Sequence, residues 1–262
     1  MRSGLISGLS NRRPRRLPGG GAAPGPAPYT ASATNFDGTN DYIRRAGALT
    51  SVTDTDKGIL SFWVDLNNAD SVLIRFLTAA IAGRGIDVQR SAANALGFSG
   101  TNAAGDFYFA ESIAGLIASG GWRHILFAWD TSVAGDIVQG YLDDLAKFST
   151  SPLFRNGDVD YTQTDWGIGA TTAGASKLNG CLSEFYFNTD EYLDISVEAN
   201  RRLFITAAGK PVDLGADGST PTGNQPAIYL PNPFGTFEGN AGYGGDFSVT
   251  GALTACADSP SD

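Results

Sequence analysis

His124 is the only histidine in the chain, so a Ser-His-Asp or Cys-His arrangement would have to be built on it. It falls between Trp122 and Leu126 in a run of strand formers, where a hydrogen-bonded imidazole on a sheet face is the ordinary outcome. Carboxylates are more plentiful. Two acids that share general acid–base work from one strand must be two or four residues apart, because successive side chains point to opposite faces. Asp158 and Asp160 have that period, but they follow Asn156-Gly157 and read as a solvated turn. Asp143 and Asp144 are adjacent and face opposite ways. The five glutamates, Glu111, Glu184, Glu191, Glu198 and Glu238, are scattered. No glycine run leads into Lys-Ser or Lys-Thr, and Gly19-Gly20-Gly21 has no strand before it or helix after it, so no phosphate-cradling loop is expected. One histidine, one methionine and two cysteines exclude a zinc cluster, a His-rich metal site and a disulfide framework.

The elements that must position these groups read as strands. Short runs of β-formers, or runs alternating apolar and polar residues, occur at 41–44, 58–66, 72–77, 85–90, 96–99, 106–110, 122–130, 137–143, 166–170 and 181–188. Turn signals separate them, among them Asp37-Gly38-Thr39-Asn40, Asn67-Asn68, Ser119-Gly120-Gly121 and Asn179-Gly180. One helix is expected over 196–205, with Ser196 as N-cap and Val197, Leu203 and Phe204 on one face. With 34 glycines in 262 residues, 11% aromatics and only 17% charged residues, the composition favours many strands joined by tight turns over a helical bundle. No apolar run approaches the roughly 20 residues that span a bilayer, so no membrane insertion is expected.

Charge is unevenly placed. Residues 1–28 carry Arg2, Arg12, Arg13, Arg15 and Arg16 and no acid, which leaves 13 bases against 27 acids in the rest of the chain. An acidic body repels phosphates, and the basic arm lacks the interleaved aromatics of a single-strand binder, so nucleic acid is not an expected partner. Leu5, Ile6 and Leu9 are too few for the apolar region of a signal peptide. Residues 14–28 are rich in Pro, Gly and Ala and cannot bury enough apolar area to fold alone. The expectation is an extended docking arm over 1–30 that meets a partner through its five arginines and Tyr29.

Four segments, in order, carry a resemblance. Phe36-Asp37-Gly38-Thr39-Asn40-Asp41-Tyr42-Ile43 resembles the opening strand of laminin-G-like, concanavalin-A-like jelly-roll domains. Gly58-Ile59-Leu60-Ser61-Phe62-Trp63-Val64 resembles their next core strand. The stretch from Trp122 to Asp130, followed by Gly140-Tyr141-Leu142-Asp143-Asp144, resembles their central hairpin, with Asp144 where Gly is usual. Leu178-Asn179-Gly180-Cys181-Leu182-Ser183-Glu184-Phe185-Tyr186-Phe187 resembles the late strand. The resemblance covers about residues 33–206 and implies an all-β, two-sheet antiparallel jelly-roll sandwich over 31–206, preceded by the arm and followed by a Gly/Pro/aromatic extension over 207–262 that packs on the sandwich or on neighbours.

The layout of basic arm, jelly roll and aromatic tail also resembles structural proteins of tailed bacteriophages and gene-transfer particles. That resemblance implies a non-enzymatic head decoration, spike, fibre or tail component. It would be made in the bacterial host cytoplasm, oligomeric, and joined through residues 1–28 to capsid, portal, tail or fibre proteins, with the sandwich turned towards host-surface glycans. Assembly in a reducing cytosol makes Cys181 and Cys256 free buried thiols. Glycoside hydrolases share the fold, and a glycan depolymerase is one alternative; no glutamate here begins the Glu-x-Asp-x-x-Glu pattern usual for them. A secreted bacterial lectin is the other alternative. Laminin-G-like domains often bind calcium at the sandwich rim, which makes Asp130, Asp136, Asp158 and Asp160 the candidate ligands, although Asp54, Asp56 and Asp70 are also loop acids and no fixed-spacing calcium loop is present. Trp63, Trp122, Trp129 and Trp166 are expected in the core, while Tyr29, Tyr108, Tyr161, Phe234, Phe237 and Tyr243 are expected at an exposed interface.

Overall fold

In the computed structural model, residues 29–70, 72–81, 84–104, 107–112, 115, 117–132, 137–147 and 157–262 are described. The arginines of the arm, Arg2, Arg12, Arg13, Arg15 and Arg16, and the candidate calcium ligand Asp136 lie outside them. The strands are β1 (Thr34–Asp37), β2 (Tyr42–Arg45), β3 (Lys57–Leu66), β4 (Ile74–Ile81), β5 (Arg84–Arg90), β6 (Leu96–Thr101), β7 (Phe107–Glu111), β8 (Arg123–Asp130), β9 (Ile137–Leu142), β10 (Leu145–Ala146), β11 (Trp166–Ile168) and β12 (Asn179–Asn188). One helical turn, α1 (Glu198–Arg201), follows, and then β13 (Ile228–Leu230), β14 (Ser248–Thr250) and β15 (Thr254–Ala255).

These strands form two antiparallel sheets, a jelly-roll sandwich as the resemblance implied. One sheet has the order β10-β9-β8-β3-β12-β1-β15, with β13 also paired to β12; the other runs β14-β2-β11-β4-β5-β6-β7. The tight turn after β1 hands the chain from one sheet to the other. Asp37 accepts the amides of Thr39 and Asn40 at 2.7 and 3.1 Å, and the buried Asp41 carboxylate accepts Asp37 N and, far along the chain, Ala252 N at 2.7 Å. Residues 207–262 supply strands to both sheets and place Ala227, Ile228, Leu230, Phe237 and Phe247 in the main core.

Between the sheets the inward side chains of β3, β8 and β12 meet those of β4, β6 and β11. Phe62 stacks on Phe185 with centroids 5.4 Å apart and lies 5.1 Å from Phe76, while Trp129 lies 4.6 Å from Phe98. Gly58 pairs directly with Trp129 across β3 and β8, and the indole lies over the glycine. Its Nε1 donates to Tyr161 Oη at 2.7 Å, and Tyr161 donates in turn to Lys57 O at 2.9 Å. Tyr161 and Phe237, expected at an exposed interface, are fully buried because both rings fill this core, Tyr161 against Phe187 and Phe237 against Phe36. Trp63, Trp129 and Trp166 are buried as expected; Trp122 is half-exposed, at the first turn before β8, and its Nε1 donates to Asp258 at 3.3 Å.

The eight-stranded sheet has a second buried face. Ile59, Leu126, Ala128, Tyr186 and Tyr229 point outward from it and are covered by Ile195, Phe204 and Leu214 from the segment after β12. Coverage on both faces explains why β3 and β12 read as nearly continuous apolar runs instead of alternating ones. The helix in that segment is shorter than the sequence suggests. Ser196 does not cap it: its amide and hydroxyl both go to Asp194 Oδ1, at 3.0 and 2.6 Å, and Val197 takes the N-cap position without a side-chain bond. No helix of the described residues is long and apolar enough to cross a membrane.

Cys181 and Cys256 form a disulfide, with Cα atoms 6.1 Å apart, in place of the expected free thiols. The sequence conceals their proximity because 75 residues separate them. Asn35 of β1 pairs with Cys181 on one side and with Thr254 on the other, so β1 holds the C-terminal strand close enough for Cys256 to reach back to β12.

Candidate functional site

In the seven-stranded sheet, β5 alternates between a buried and a half-exposed face. In β5, Ile86 and Val88 are buried while Asp87 and Gln89 are half-exposed. Strand register continues that outward face into a polar row. Arg44 of β2 pairs with Gly167 of β11, Gly167 with Thr78 of β4, Thr78 with Asp87 of β5, and Asp87 with Ser99 of β6. Five strands at the usual spacing make a row about 19 Å long. A second, shorter row places Arg75 opposite Gln89 and Gln89 opposite Gly97.

The polar groups of this face are locked to one another. Arg75 Nε lies 2.8 Å from Asp87 Oδ1, and its Nη1 also donates to Gln89 Oε1. Thr78 donates to the same Asp87 oxygen at 3.2 Å. Burial raises the Asp87 carboxyl above its ordinary value, opposed by the adjacent Arg75 guanidinium and the Thr78 hydroxyl. At the far end of the row Arg44 grips Asp165 in two parallel bonds of 2.7 Å. Each arginine is therefore neutralised, and the side chains stay accessible: Arg75 is 19% exposed, Asp87 24% and Arg44 40%. Fixed planar donors and acceptors on a half-exposed sheet face suit a ligand rich in hydroxyl groups. None of these residues is among the acid pairs or loop acids that the sequence singles out. The usable signal is the alternation Ile86-Asp87-Val88-Gln89, which marks a strand with one open face.

The groups that the sequence singled out for chemistry are placed elsewhere. His124 is fully buried, its Nε2 is 2.9 Å from Ser61 Oγ, and burial pushes its imidazole down to about 3. It stacks with Trp63 at 4.7 Å, and its Nδ1 has no hydrogen-bond partner among the described residues. A neutral histidine in such a place fills a sheet face and does not exchange protons with solvent. Asp143 and Asp144 form the turn between β9 and β10, with φ of 49° and 66°. They point apart, Asp143 to Arg123 and Asp144 to Arg201 and Arg202.

Three of the candidate calcium ligands, Asp130, Asp158 and Asp160, lie among the described residues. Asp130 accepts the amide of Ser132 at 3.0 Å and also its hydroxyl, Asp160 is buried and accepts Thr162 Oγ1 at 3.0 Å, and Asp158 is exposed. Among the described residues no three His, Cys, Asp or Glu side chains gather around a point.

Glu184 has the perturbed carboxyl that the sequence did not announce. It is the extra residue of a β-bulge in β12, at φ 51°, and is only 2% exposed. Tyr29 donates to its Oε1 at 2.5 Å and Tyr229 to its Oε2 at 2.8 Å. Burial pushes its pKa up to about 7 against the pull of the two hydroxyls. A raised carboxyl is what glycoside hydrolysis needs in its acid, but this one is sealed from substrate with both oxygens occupied. Tyr29, expected on a partner, is thus half-buried and bonded within its own chain.

No protein-family model matches the sequence, and no curated protein matches it. Among solved structures, one from Bacteroides ovatus ATCC 8483, whose name assigns it provisionally to carbohydrate binding, is similar over 88% of this chain with a TM-score of 0.58 at 13% identity. This chain spans 61% of that protein's length. A heptameric SAP-like pentraxin from Limulus polyphemus matches 63% of this chain and 78% of its own, with a TM-score of 0.46 at 13% identity. Domains LG4-5 of the mouse laminin alpha1 chain match 63% of this chain and 43% of their own, also with a TM-score of 0.46 at 13% identity. The chain has a lectin-like jelly-roll sandwich.

Proposed function

We propose that this chain is a non-catalytic carbohydrate-binding domain whose ligand lies on the outward face of β4, β5 and β6. The observation that carries the reading is the charge-neutral network of the half-exposed Arg75, Asp87 and Gln89, with the buried Thr78 hydroxyl beneath, on the outward face of β4 and β5. Sugar hydroxyls bond to such fixed planar groups without having to order them first. The name of the Bacteroides ovatus protein agrees with this reading. The disulfide supports a secreted lectin over a virion component, since thiols stay reduced in a bacterial cytosol. A virion setting would rest on residues 1–28 and on layout alone. Binding at one such site is weak, and several copies on one surface would strengthen it.

The test is binding of the full chain to an array of surface polysaccharides, followed by calorimetry on the best ligand. Arg75→Ala and Asp87→Asn should each weaken binding about tenfold or more, because each leaves a half-buried partner unpaired. Unchanged affinity in both folded variants would remove the site from this face. Oligosaccharide release from the same ligands, abolished by an acid-to-amide change in this chain, would favour the depolymerase instead.

A further inference from the structure

Residues 29–33 cross the outward face of the eight-stranded sheet beside β12. Three contacts hold them there. Tyr29 donates to Glu184, Ser183 Oγ donates to Ser32 O at 2.5 Å, and the buried Ala31 donates its amide to Ser261 Oγ at 2.9 Å. Under this segment runs a buried row, since Ser183 pairs with Trp63 and Trp63 with His124. The bulge that turns Glu184 to φ 51° opens the gap between β1 and β13, both of which pair with β12 on the same side. The carboxyl fills that gap.

We propose that Glu184 is a pH-sensitive latch, which holds residues 29–33 on the sheet while its carboxyl is protonated and releases them when it ionises. The two tyrosine hydroxyls that donate to the carboxyl favour its ionised form, but burial outweighs them, and the neutral form leaves no buried charge. An ionised one must keep a full charge at a site 2% exposed, and the opposing groups are hydroxyls only. The titratable groups that act on it are Tyr29 from the segment, Tyr229 from β13 and Asp213 from the loop before β13; Asp213 adds negative charge. The flanking strands present Thr34, Asn35, Ser61 and Trp63, none of them ionisable, and His124 beyond them is neutral. Among the described residues no cation therefore acts on the ionised form.

The sign follows from the raised pKa. The latch is fully closed below about pH 4.5, the ordinary glutamate value, and loosens as pH rises through about 7. Release would bare Ser183, Trp63 and His124, a surface separate from the proposed sugar face, so the latch stands or falls independently of that reading.

Hydrogen-exchange protection factors, which divide out the intrinsic pH dependence of exchange, read the latch at the Ala31 amide. In the full chain the Ala31 protection factor should fall about tenfold or more between pH 5.5 and 8.5. Amides of β3 and β8 should keep theirs. In Glu184→Gln, which preserves an acceptor and a donor but cannot ionise, the Ala31 value should stay level. A level profile in the unaltered chain would overturn the proposal, as would an equal fall in Glu184→Gln. Carboxyl carbon NMR of Glu184 in the unaltered chain gives a check that needs no variant: a midpoint near 7 supports the latch, and one near 4.5 overturns it.

Discussion

Breaking the Cys181–Cys256 bridge is expected to lower the unfolding free energy by about 4 kcal/mol, the loop-entropy value for a closed loop of this length. In a chain of this size that corresponds to a fall in Tm of roughly 10 °C. The comparison is between the native protein and Cys181→Ser/Cys256→Ser, unfolded in urea at one pH. A lower midpoint with a steeper slope is the expected form, because the native fold keeps its sheets while the unfolded chain, freed of the cross-link, exposes more surface. Exchange should quicken first in β14 and β15, the edge strands of the two sheets, which lie just before Cys256. A change below about 1 kcal/mol would mean that β1 alone secures the C-terminal strands and that the bridge constrains little.

A methyl group at residue 58 should have an effect of similar size. A Cβ there would sit 2.1 Å from Trp129 Cζ2 and 2.4 Å from Cε2, distances that no real Cβ adopts. The indole cannot step aside. Tyr161 holds its Nε1, Phe98 lies against one side, and the backbone of β3 lies beneath. Gly58→Ala is therefore expected to cost about 3 kcal/mol, at the upper end for overpacking a well-filled core, and to reduce the near-ultraviolet circular dichroism from Trp129. Gly47→Ala provides the control, since nothing lies within 4 Å of the added atom and the change should stay within about 0.5 kcal/mol. Equal stability of the two variants would show that the indole does not lie over Gly58.

Much of the framework was legible because a strand's side-chain period is short and local. The runs at 58–66, 122–130 and 181–188 became β3, β8 and β12 with ends shifted by no more than two residues. The run at 72–77 became β4 starting at Ile74, since Val72 and Leu73 are exposed before the strand. What stayed hidden depends on partners distant in sequence. β13, β14 and β15 are two or three residues long, too short for any periodicity, and exist because β12, β2 and β1 offer them an edge. The bulge at Glu184 interrupts an otherwise regular strand without leaving a glycine or proline as a mark. The polar row was legible only in part: alternation in β5 points Asp87 and Gln89 outward, but nothing local says that Arg44 and Asp165 join the same face. Asp144 shows the opposite failure. An aspartate in a glycine position signals strain, and only the structure shows the two arginines that hold it.

The place of β12 at the middle of its sheet has a consequence for how the protein is made. Phe36 of β1 pairs with Gly180, and β3 needs β12 along most of its length. A ribosome adding 5–20 residues each second delivers β1 roughly 7 to 30 seconds before its partner. During that time β3 and β8 can pair, but the edge of β3 that awaits β12 is bare, and so are the apolar side chains of Phe36, Leu60 and Phe62. The hazard for this fold lies in synthesis more than in the finished molecule. Slower translation before codon 179 should increase the aggregated fraction, and a nascent-chain chaperone should reduce it.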